Sequence, residues 1–365
     1  MDKKIKIYAE VLEGSALDQF YDAMKQDFAV QGALMPDAHT GYSLPIGAVV
    51  STDNYVVPAW VGYDIGCGMC AVPTTFSKAD VITQREQIFN SIYRSIPVGF
   101  NHNRNDTEWN HEVLPKTDIL AEIFNKNGYK QLGSLGGGNH FIEIGYDEND
   151  VIWIVIHSGS RGIGHATARH YMKLASGTNK AKEGHYGFTS WSSEGKDYID
   201  DLNFCLAFAL ENRKEMIRRV ISEVRYRCEG VAVWTEFINR NHNHAEEKDG
   251  LWIHRKGATH AEDGMMGVIP GNMRDGSFIV EGKGNPDSMW SSSHGAGRVM
   301  GRKKAKELLS IDEFTETMDG VTAKVGAGTL DEAPMAYKNI FDVMALQSDL
   351  VSVKAHIRPL INIKG

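Results

Sequence analysis

The segment "FIEIGYDENDVIWIVIHSGSRG", residues 141–162, carries the clearest strand pattern in the chain. Two runs rich in β-branched and aromatic residues flank the polar turn "YDEND", and this pattern predicts two neighbouring strands. The second run ends abruptly at His157 and continues into a Gly/Ser loop that contains Arg161. Loops at strand ends often bind ligands, and the fork of an arginine suits a phosphate. The segment therefore predicts both a sheet and a ligand site beside it.

Helical patterns follow this segment. "IGHATARHYMKLAS" (163–176) predicts an amphipathic helix, and the longest helical pattern covers about 198–227. One face of the longer helix repeats apolar residues at near-helical spacing. Because charge on the opposite face of such a helix is usually solvated, we favour a solvated face there over an RNA-binding one. The charged residues of that face are Arg213, Lys214, Arg218, Arg219 and Arg225.

Upstream, the chain predicts the strand "IKIYAE" (5–10) and the helix "SALDQFYDAMKQDF" (15–28), with Ser15 as its N-cap. Residues 32–75 consist of short β-rich pieces separated by Gly and Pro. Strands and helices are mixed without the regular spacing of βαβ units. We therefore predict an α+β (mixed α/β) fold with mixed β-sheets flanked by helices, rather than a Rossmann or P-loop fold. A single domain is expected over residues 1–365.

The composition bounds the class of protein. The 365 residues are 42% hydrophobic, which supports a substantial core, and no segment is long or apolar enough to span a bilayer. The four cysteines are too few for a disulfide framework in a chain of this length. We therefore expect a reduced, cytoplasmic protein without membrane contact. The formal net charge of −8 argues against a surface that is basic overall, but leaves room for a local basic groove.

Three common nucleotide-handling motifs are absent from the sequence. There is no G-x-x-x-x-G-K-[ST] P-loop, and no G-x-G-x-x-G follows a strand. There is also no K-x-D-G, the motif whose lysine takes up a nucleotide in ordinary nucleic-acid ligases. A nucleotide, if one is used, is therefore handled by another route.

Two Gly-rich strings, "GYDIGCGM" (62–69) and "GSLGGGNHF" (133–141), and the string "NHNH" (241–244) contain residues that bind metal ions. Taken singly, each string is more often a structural turn or holds a small core residue. Together with the histidine that ends the second strand, they offer one carboxylate, one thiol and three imidazoles, a set that suits a transition metal. The paired cysteines of a structural zinc site are absent. The candidate ligands are Asp64, Cys67, His140, His157 and one of His242 and His244.

The string "SSSHGAGR" (291–298) surrounds His294 with small residues. An imidazole that is this uncrowded can act as a nucleophile, with Arg298 holding phosphate oxygens. A satisfied structural histidine is the usual alternative, but the neighbours here are too small to bury the ring. The turn "PGNM" (270–273), which is followed by Ser277, has backbone groups free to bind a ligand.

These strings match one family. The chain resembles the RtcB RNA ligases over nearly its whole length. The matching strings are "MPDAHTGYSLPIGAVV", "VGYDIGCGM", "GSLGGGNHFIEI", "HSGSRGIGHA", "NHN", "RKGA", "IPGNM", "SFIVEGKGN", "SHGAGR", "DEAPMAYKNI" and the terminal "IKG". The resemblance implies a ligase that uses GTP and Mn²⁺ to join an RNA 3′-phosphate or 2′,3′-cyclic phosphate end to a 5′-hydroxyl end. It implies a guanylylated histidine, an RNA-3′-PP-G intermediate, and the family's own fold around a central metal site.

The resemblance also assigns residues by position. It implies that Cys67 bridges two Mn²⁺ ions, with Asp64 and His140 on one ion and His157 and His242 on the other. The nucleophile that receives GMP falls on His294. The guanylate-binding residues fall on Asn139, His140, Phe141, Ile142, Glu143, His242, Asn243, Pro270, Gly271, Asn272, Met273, Ser277, His294, Gly295, Ala296, Gly297 and Lys364.

The chain departs from these relatives in two respects. Serines precede "HGAGR" where relatives carry a cysteine, and the segments near 100–130 and 240–250 are shorter. Because the ligand set and the nucleophile are intact, we favour the ligase over a two-metal cyclic phosphodiesterase and over a non-catalytic RNA-binding relative. The expected partners are GTP and RNA with the ends named above. A monomer is expected, with room for an accessory activating or RNA-repair factor, and tRNA splicing and RNA repair both stay open as its role.

Overall fold

The computed structural model describes residues 3–365. Over this range the chain is a mixture of helices and mainly antiparallel strands, as the α+β prediction requires. The helices are α1 (Gly14–Met24), α2 (Pro58–Val61), α3 (Lys78–Ser95), α4 (Asp118–Gln131), α5 (Arg161–Ser176), α6 (Ser193–Arg225), α7 (Arg302–Leu308), α8 (Ile311–Thr317) and α9 (Ile340–Ala345). None of the helices within the described range is long and apolar enough to cross a membrane.

The strands range from two to fourteen residues in length and are spread over the whole described range. They are β1 (Lys4–Ile7), β2 (Ala29–His39), β3 (Ile46–Asp53), β4 (Tyr55–Val56), β5 (Gly68–Pro73), β6 (Phe141–Tyr146), β7 (Ile152–Ser158), β8 (Phe188–Thr189), β9 (Ile238–Asn241), β10 (Asn243–Lys248), β11 (Leu251–Lys256), β12 (Ala258–His260), β13 (Met266–Pro270), β14 (Ser277–Gly282), β15 (Ser291–Ser293), β16 (Thr322–Ala323) and β17 (Val351–Lys364).

The two strands predicted from residues 141–157 form the antiparallel hairpin β6–β7, in a register that pairs Phe141 with His157. The turn between them is held by Asp147, whose carboxylate accepts from the backbone N–H of Asn149 at 2.8 Å and from the indole of Trp153 at 2.9 Å. A short acidic side chain that bonds to the backbone two residues on is typical of such turns. The strand prediction is confirmed.

This hairpin lies inside an eight-stranded sheet of order β13-β14-β17-β6-β7-β5-β9, with β16 added on β17. The pairs from β17 to β9 are antiparallel, so neighbouring strands run in opposite directions. The starts of β6 and β5 therefore lie at the same end of the sheet as the last residues of β7, β9 and β17. Loops that are distant in the sequence meet at this one end.

A second sheet has five strands in the order β1-β2-β3-β11-β10. The chain passes between the two sheets at His242, which separates β9 from β10. It leaves the second sheet at Gly257, which has φ +62° and lies so close to Ile46 and His294 that a Cβ at this position would collide with the Ile46 side chain. Glycine at position 257 thus permits the close approach of His294.

The apolar core has two main parts, and α6 contributes to both. Phe204 and Phe208 pack with Trp60 beneath the five-stranded sheet, whereas Met216 and Val220 pack against the eight-stranded sheet. The helix begins at Ser193 and ends at Arg225, so it starts earlier than the apolar pattern indicated and ends two residues before Arg227. The first half of the apolar face of α6 thus packs under one sheet and the second half under the other, so the helix connects the two parts of the core.

Two local predictions are wrong. Helix α1 begins at Gly14, and the Ser15 hydroxyl pairs with the Thr40 hydroxyl at 2.6 Å instead of capping the helix. Arg213 does not belong to a solvated face, because its side chain is completely buried. It lies three and four residues before the buried Met216 and Ile217, so the helical period itself turns it inward. Arg218 and Arg225 are exposed, as predicted.

Candidate active site

The five residues predicted as metal ligands converge at the shared end of the strands. The Cys67 Sγ atom lies 3.2 Å from Nε2 of His140 and 3.1 Å from Nε2 of His157. On one side, His140 Nε2 lies 3.0 Å from the Asp64 carboxylate. On the other side, His157 Nε2 lies 3.2 Å from Nε2 of His242. The thiol thus stands between two pairs of donors, one with a carboxylate and one with two imidazoles.

The ends of the strands hold this group in place. The imidazole of His157 donates from Nδ1 to the Asn139 carbonyl at 3.1 Å, which fixes its tautomer and leaves the Nε2 lone pair facing the thiol. The backbone N–H of His242 donates to the Cys67 carbonyl at 2.8 Å. Asp64 and Cys67 share one tight turn, closed by a 3.1 Å hydrogen bond from the Cys67 N–H to the Asp64 carbonyl. The backbone therefore fixes the segments that carry these donors.

Arg213 forms hydrogen bonds to the segments that carry the donor residues. Its guanidinium donates to the carbonyls of Gly66 at 2.9 Å and Ser158 at 2.7 Å, and also to the side chains of Asn239 at 2.8 Å and Asn241 at 2.7 Å. These partners lie on the segments that carry the thiol and the imidazoles. The fixed fork of an arginine can bridge several carbonyl groups at once. Sequence analysis missed this residue, although its place in the apolar stripe of α6 was the signal.

Four of the five donor residues, Cys67, His140, His157 and His242, are buried. Burial raises the pKa of the Cys67 thiol well above its ordinary value, and Asp64 adds to the effect. Burial lowers the pKa of His157 and of His242 well below the ordinary value for histidine. Neutral imidazoles present free lone pairs, and a bound divalent cation favours the thiolate. The mixed oxygen, nitrogen and sulfur donors fit a first-row transition metal.

His294 lies next to this group and is paired with an aspartate. Its Nδ1 atom lies 2.6 Å from Oδ2 of Asp37, and its ring centroid lies 4.8 Å from that of His242. Asp37 is completely buried, and the same oxygen accepts from the backbone N–H of His294 at 3.2 Å and of Gly295 at 3.3 Å. Since a carboxylate accepts from Nδ1–H, Nε2 keeps its lone pair. Sequence analysis quoted the string that contains Asp37 but gave this residue no role.

Two cavities border His294. The first, of about 300 Å³, contains most of the predicted guanylate residues, and the second, of about 250 Å³, contains several predicted metal ligands. The first is lined by His39, Ile46, Asn139, Phe141, His157, Pro270, Gly271, Asn272, Met273, His294, Gly295, Ala296, Gly297, Arg298, Arg302, Tyr337, Asn362 and Lys364. The second is lined by Tyr42, Ile46, Ala59, Val61, Gly62, Tyr63, Asp64, Cys67, Asn139, Met172, Glu183, His242, Asn243, Lys256, Gly257 and His294.

The other predicted guanylate residues lie outside the first cavity. Ile142 packs in the core of the eight-stranded sheet. Glu143 is buried behind the cavity wall, where its carboxylate accepts from the Ser277 hydroxyl at 3.0 Å and from the Asn362 amide at 3.3 Å. Burial raises the pKa of Glu143 to about 7. Asn243 faces the second cavity, and its amide donates to the Asp64 carbonyl at 3.2 Å.

One wall of the first cavity is a network of charged residues around Glu332. Lys364 lies 3.0 Å and Arg298 lies 3.3 Å from this carboxylate, and Arg302 also pairs with it. The Tyr337 hydroxyl donates to it at 2.5 Å. Burial alone would raise the pKa of Glu332, but Lys364 and Arg302 bring it down to about 2. Several cations around one buried carboxylate leave this wall suited to an anionic ligand.

The two arginines that were expected to hold phosphate already have partners in this structure. Arg298 donates to the Asp331 carbonyl at 2.6 Å in addition to its pairing with Glu332. Arg161 donates to the Ser134 hydroxyl at 3.1 Å and to the Gly99 carbonyl. Arg298 still lines the first cavity, whereas Arg161 lines neither of the two.

His244, the alternative ligand in "NHNH", belongs to a different group. It lies with Glu246 and His260, three residues whose donor atoms could hold a metal ion. The buried Arg255 donates to His244 Nε2 at 3.3 Å and also pairs with Glu246. Because the guanidinium already supplies the positive charge among these residues, we assign no metal to them. His242 rather than His244 therefore joins the group around Cys67.

Comparisons with known proteins find similarity to one family over nearly the whole chain. A family model described as "tRNA-splicing ligase RtcB" matches residues 19–123 and 113–365. The RNA-splicing ligase RtcB of Escherichia coli (strain K12) is 36% identical over 97% of this chain and 95% of its own length. The RNA-splicing ligase RtcB1 of E. coli (strain ATCC 25922) gives the same figures of 36%, 97% and 95%. The tRNA-splicing ligase RtcB of Nanoarchaeum equitans is 28% identical over 100% of this chain and 96% of its own length.

Proposed function

The chain belongs to the RtcB family of RNA-splicing ligases, and we propose that it is a GTP- and Mn²⁺-dependent ligase that joins RNA 3′-phosphate or 2′,3′-cyclic phosphate ends to 5′-hydroxyl ends. The observation that carries the proposal is the position of His294. It is paired with Asp37 at 2.6 Å, it lies beside the imidazole of His242, and it borders both cavities. A hydrolase that only opened cyclic phosphates would need neither this pair nor a nucleotide cavity.

His294 is the nucleophile of the first step. Asp37 holds the Nδ1 proton, and the Nε2 lone pair attacks the α-phosphorus of GTP. A P–N bond forms, the bond between the α-phosphorus and the bridging oxygen breaks, and pyrophosphate leaves with the electron pair of that bond. As positive charge develops on the imidazole, the buried carboxylate of Asp37 stabilises it. The step needs no lysine nucleophile, which accords with the missing K-x-D-G motif.

A 2′,3′-cyclic phosphate would first be opened by water, which breaks the bond from phosphorus to O2′ and leaves a 2′-hydroxyl and a 3′-phosphate. From the 3′-phosphate, two further displacements complete the reaction. An oxygen of the RNA 3′-phosphate attacks the same phosphorus, the P–N bond breaks, and its electron pair returns to Nε2 of His294. The product is RNA-3′-PP-G. The 5′-hydroxyl then attacks the RNA phosphate, loses its proton, and GMP leaves. In the last step the activated RNA phosphate becomes the new phosphodiester.

The first cavity is proposed as the guanylate site. Its volume of about 300 Å³ lies within the range of small-ligand pockets, and Phe141 and Tyr337 offer aromatic surface for a base. Lys364 and Arg298 place positive charge beside the phosphate. Glu143 and Ser277 would act from behind the wall by fixing the strands that form it.

The group around Cys67 is proposed as the manganese site. The residues that would hold the metal are Asp64, Cys67, His140, His157 and His242, with Cys67 as the shared ligand of two ions. When bound, the metal would supply charge neutralisation at the phosphoryl oxygens. The position of the thiol between two pairs of donors supports the sharing.

The experiment that tests the proposed function traces the 3′-terminal phosphate of the RNA through the reaction. An RNA that carries a radiolabelled 3′-terminal phosphate is mixed with an RNA that has a 5′-hydroxyl, GTP, Mn²⁺ and the protein. We expect the label to become resistant to phosphatase and to lie inside the joined product. The same RNAs with 3′-hydroxyl and 5′-phosphate ends should not be joined. Joining with release of the label would show that the 3′-phosphate is removed and would contradict the proposal.

A further inference from the structure

The second cavity is a site that the proposed reaction has not yet used. It is separate from the guanylate cavity, and His294 and Asn139 border both. Its floor contains Asp64, Cys67 and His242, which belong to the candidate metal group. A ligand in this cavity would therefore lie against the donor group and against the nucleophile together.

Lys256 places a cation in the wall of the second cavity. Its side chain is buried, and its ammonium group donates to the Ala59 carbonyl at 3.2 Å. An ammonium group has three donors, and the hydrogen bonds found among residues 3–365 account for one of them. Glu183 lies in the same wall and is the carboxylate whose charge acts on this lysine. A phosphate that entered the cavity would find two N–H donors of Lys256 without protein partners within the described part of the chain.

Aromatic rings form the rim of the same cavity. The Tyr42 side chain is 62% exposed, and its ring stands edge-on to that of Tyr63 at a centroid distance of 6.4 Å and an angle of 88°. Tyr63 in turn stacks on His165 at 5.2 Å and 27°. Exposed aromatic rings commonly bind the bases of single-stranded nucleic acid by stacking. The rim therefore has the chemistry to hold one base while the attached phosphate reaches Lys256.

The order of the displacements indicates which RNA end enters here. In-line displacement at phosphorus places the entering group opposite the leaving group. In the first proposed step His294 attacks the α-phosphorus, and pyrophosphate leaves from the opposite side of that atom. In the second step His294 is the leaving group, so the RNA phosphate must attack from the side that pyrophosphate left. A phosphorus bound to His294 would lie where the two cavities meet, and with guanosine in the first cavity the second offers the RNA phosphate a path to it. Of the two RNA ends to be joined, only the 3′ end carries a terminal phosphate, and this is the group that we place at Lys256.

We propose that the second cavity binds the 3′-terminal nucleotide of the RNA, with its phosphate against Lys256 and its base stacked on Tyr42. This inference rests on the proposed function, because it presumes a 3′-phosphate substrate. Tyr42 and Lys256 act here as binding residues for the RNA, and neither takes part in the transfer of GMP to His294.

The first test is photochemical cross-linking. A short RNA that ends in 5-iodouridine 3′-phosphate is irradiated with the protein and Mn²⁺ in the absence of GTP, and the cross-linked residue is identified by mass spectrometry. We expect Tyr42 or its neighbour Tyr63. A cross-link at Phe141 or Tyr337 in the first cavity would overturn the assignment. The readout is a position in the chain, so it does not depend on ligation.

The second test uses binding affinity. We expect Tyr42→Ala to weaken binding of the 3′-phosphate RNA by about 5- to 100-fold, and Tyr42→Phe to restore most of it, because the ring supplies the stacking. The matched control is Tyr226→Ala, since Tyr226 is 83% exposed and lies outside both cavities. Equal affinity of Tyr42→Ala and the parent protein would overturn the base site.

The lysine is tested with the apolar variant Lys256→Met, which suits a buried position. The parent should bind RNA with a 3′-phosphate about tenfold or more tightly than the same RNA with a 3′-hydroxyl, and the variant should lose this preference. If Lys256→Met keeps the preference, the phosphate contact is wrong. Labelling by GTP distinguishes a failure of the proposed function from a failure of the RNA site. A parent protein that takes no label contradicts the proposed function. A Tyr42→Ala protein that is labelled but binds RNA as tightly as the parent contradicts the RNA site alone.

Discussion

The Nδ1 atom of His294 lies 2.6 Å from Oδ2 of Asp37, although 257 residues separate the two along the chain. The carboxylate is buried on β2, and the imidazole follows β15. Since the same oxygen also accepts from two backbone N–H groups, the position of the histidine is set by main chain and side chain together. An imidazole that is oriented in this way has one defined free ring nitrogen, Nε2, which is the atom that we propose as the nucleophile.

Asp37→Asn should slow labelling of the protein by GTP. An asparagine can donate to Nδ1, and the proton would then sit on Nε2, where it blocks attack. By analogy with other histidine–aspartate pairs we expect a loss on the order of 10²- to 10⁴-fold in the initial rate. The measurement is incorporation of radiolabelled GMP in the presence of Mn²⁺. A rate close to that of the parent, in a variant that melts at the parental temperature, would show that Asp37 does not orient the nucleophile.

His294→Ala should take up no label at all. In the parent, the bond to GMP should be labile in acid and stable in alkali, as a phosphoramidate requires. His260→Ala is a suitable control, because His260 is also partly buried but borders neither cavity. Equal labelling of His294→Ala and the parent would assign the nucleophile to another residue.

Cys67→Ala should lose bound manganese, because the thiol lies within about hydrogen-bond distance of donors on both of its sides. Cys70→Ala is the matched control. Cys70 is also completely buried, but it packs in the apolar core of the eight-stranded sheet. The measurement is the metal content of each protein after dialysis against Mn²⁺. We expect Cys70→Ala to retain the parental content, and retention by Cys67→Ala as well would contradict the shared ligand.

Arg213→Met should destabilise the fold. The substitution leaves the buried carbonyls of Gly66 and Ser158 without their donor, and each such group costs about 1–3 kcal/mol. We expect the free energy of unfolding to fall by about 3 kcal/mol or more, as measured by urea denaturation. Arg218→Met, on the exposed face of the same helix, should change it by less than about 1 kcal/mol. Similar effects of the two substitutions would contradict the role of Arg213 in holding the loops.

Glu143 predicts a pH dependence of stability. Burial raises its pKa from 4.5 in the unfolded chain to about 7, so between these values the folded state binds more protons than the unfolded state. Stability from this group is therefore lost as the pH rises through that window, by an amount on the order of 3 kcal/mol. Glu143→Gln, which keeps the hydrogen bonds and cannot ionise, should remove the loss. The measurement is urea denaturation of both proteins at the two ends of the window. If the free energy of unfolding changes equally between the two pH values in the parent and the variant, the pKa of Glu143 is not raised.

Local patterns in the sequence predicted much of what is local in the structure. The alternation of apolar runs and the turn "YDEND" predicted the hairpin β6–β7, because strand pairing across a short turn depends on neighbouring residues. The Gly-rich strings indicated the residues that now surround Cys67, since tight turns place their side chains at strand ends. The pattern of α6 gave its length to within a few residues but not the burial of Arg213.

Other features were decided by the tertiary structure alone. The pairing of Asp37 with His294 depends on how β2 and β15 lie against each other, and no spacing in the sequence encodes that distance. The division of the predicted nucleotide residues between two cavities, with Ile142 turned into the core, depends on the register of β6 against β7 and β17. Sequence determines which chemical groups are present and which short segments form strands or helices, because those preferences are local. Contacts between distant segments arise only when the sheets pack, and that packing places His294 between the two cavities.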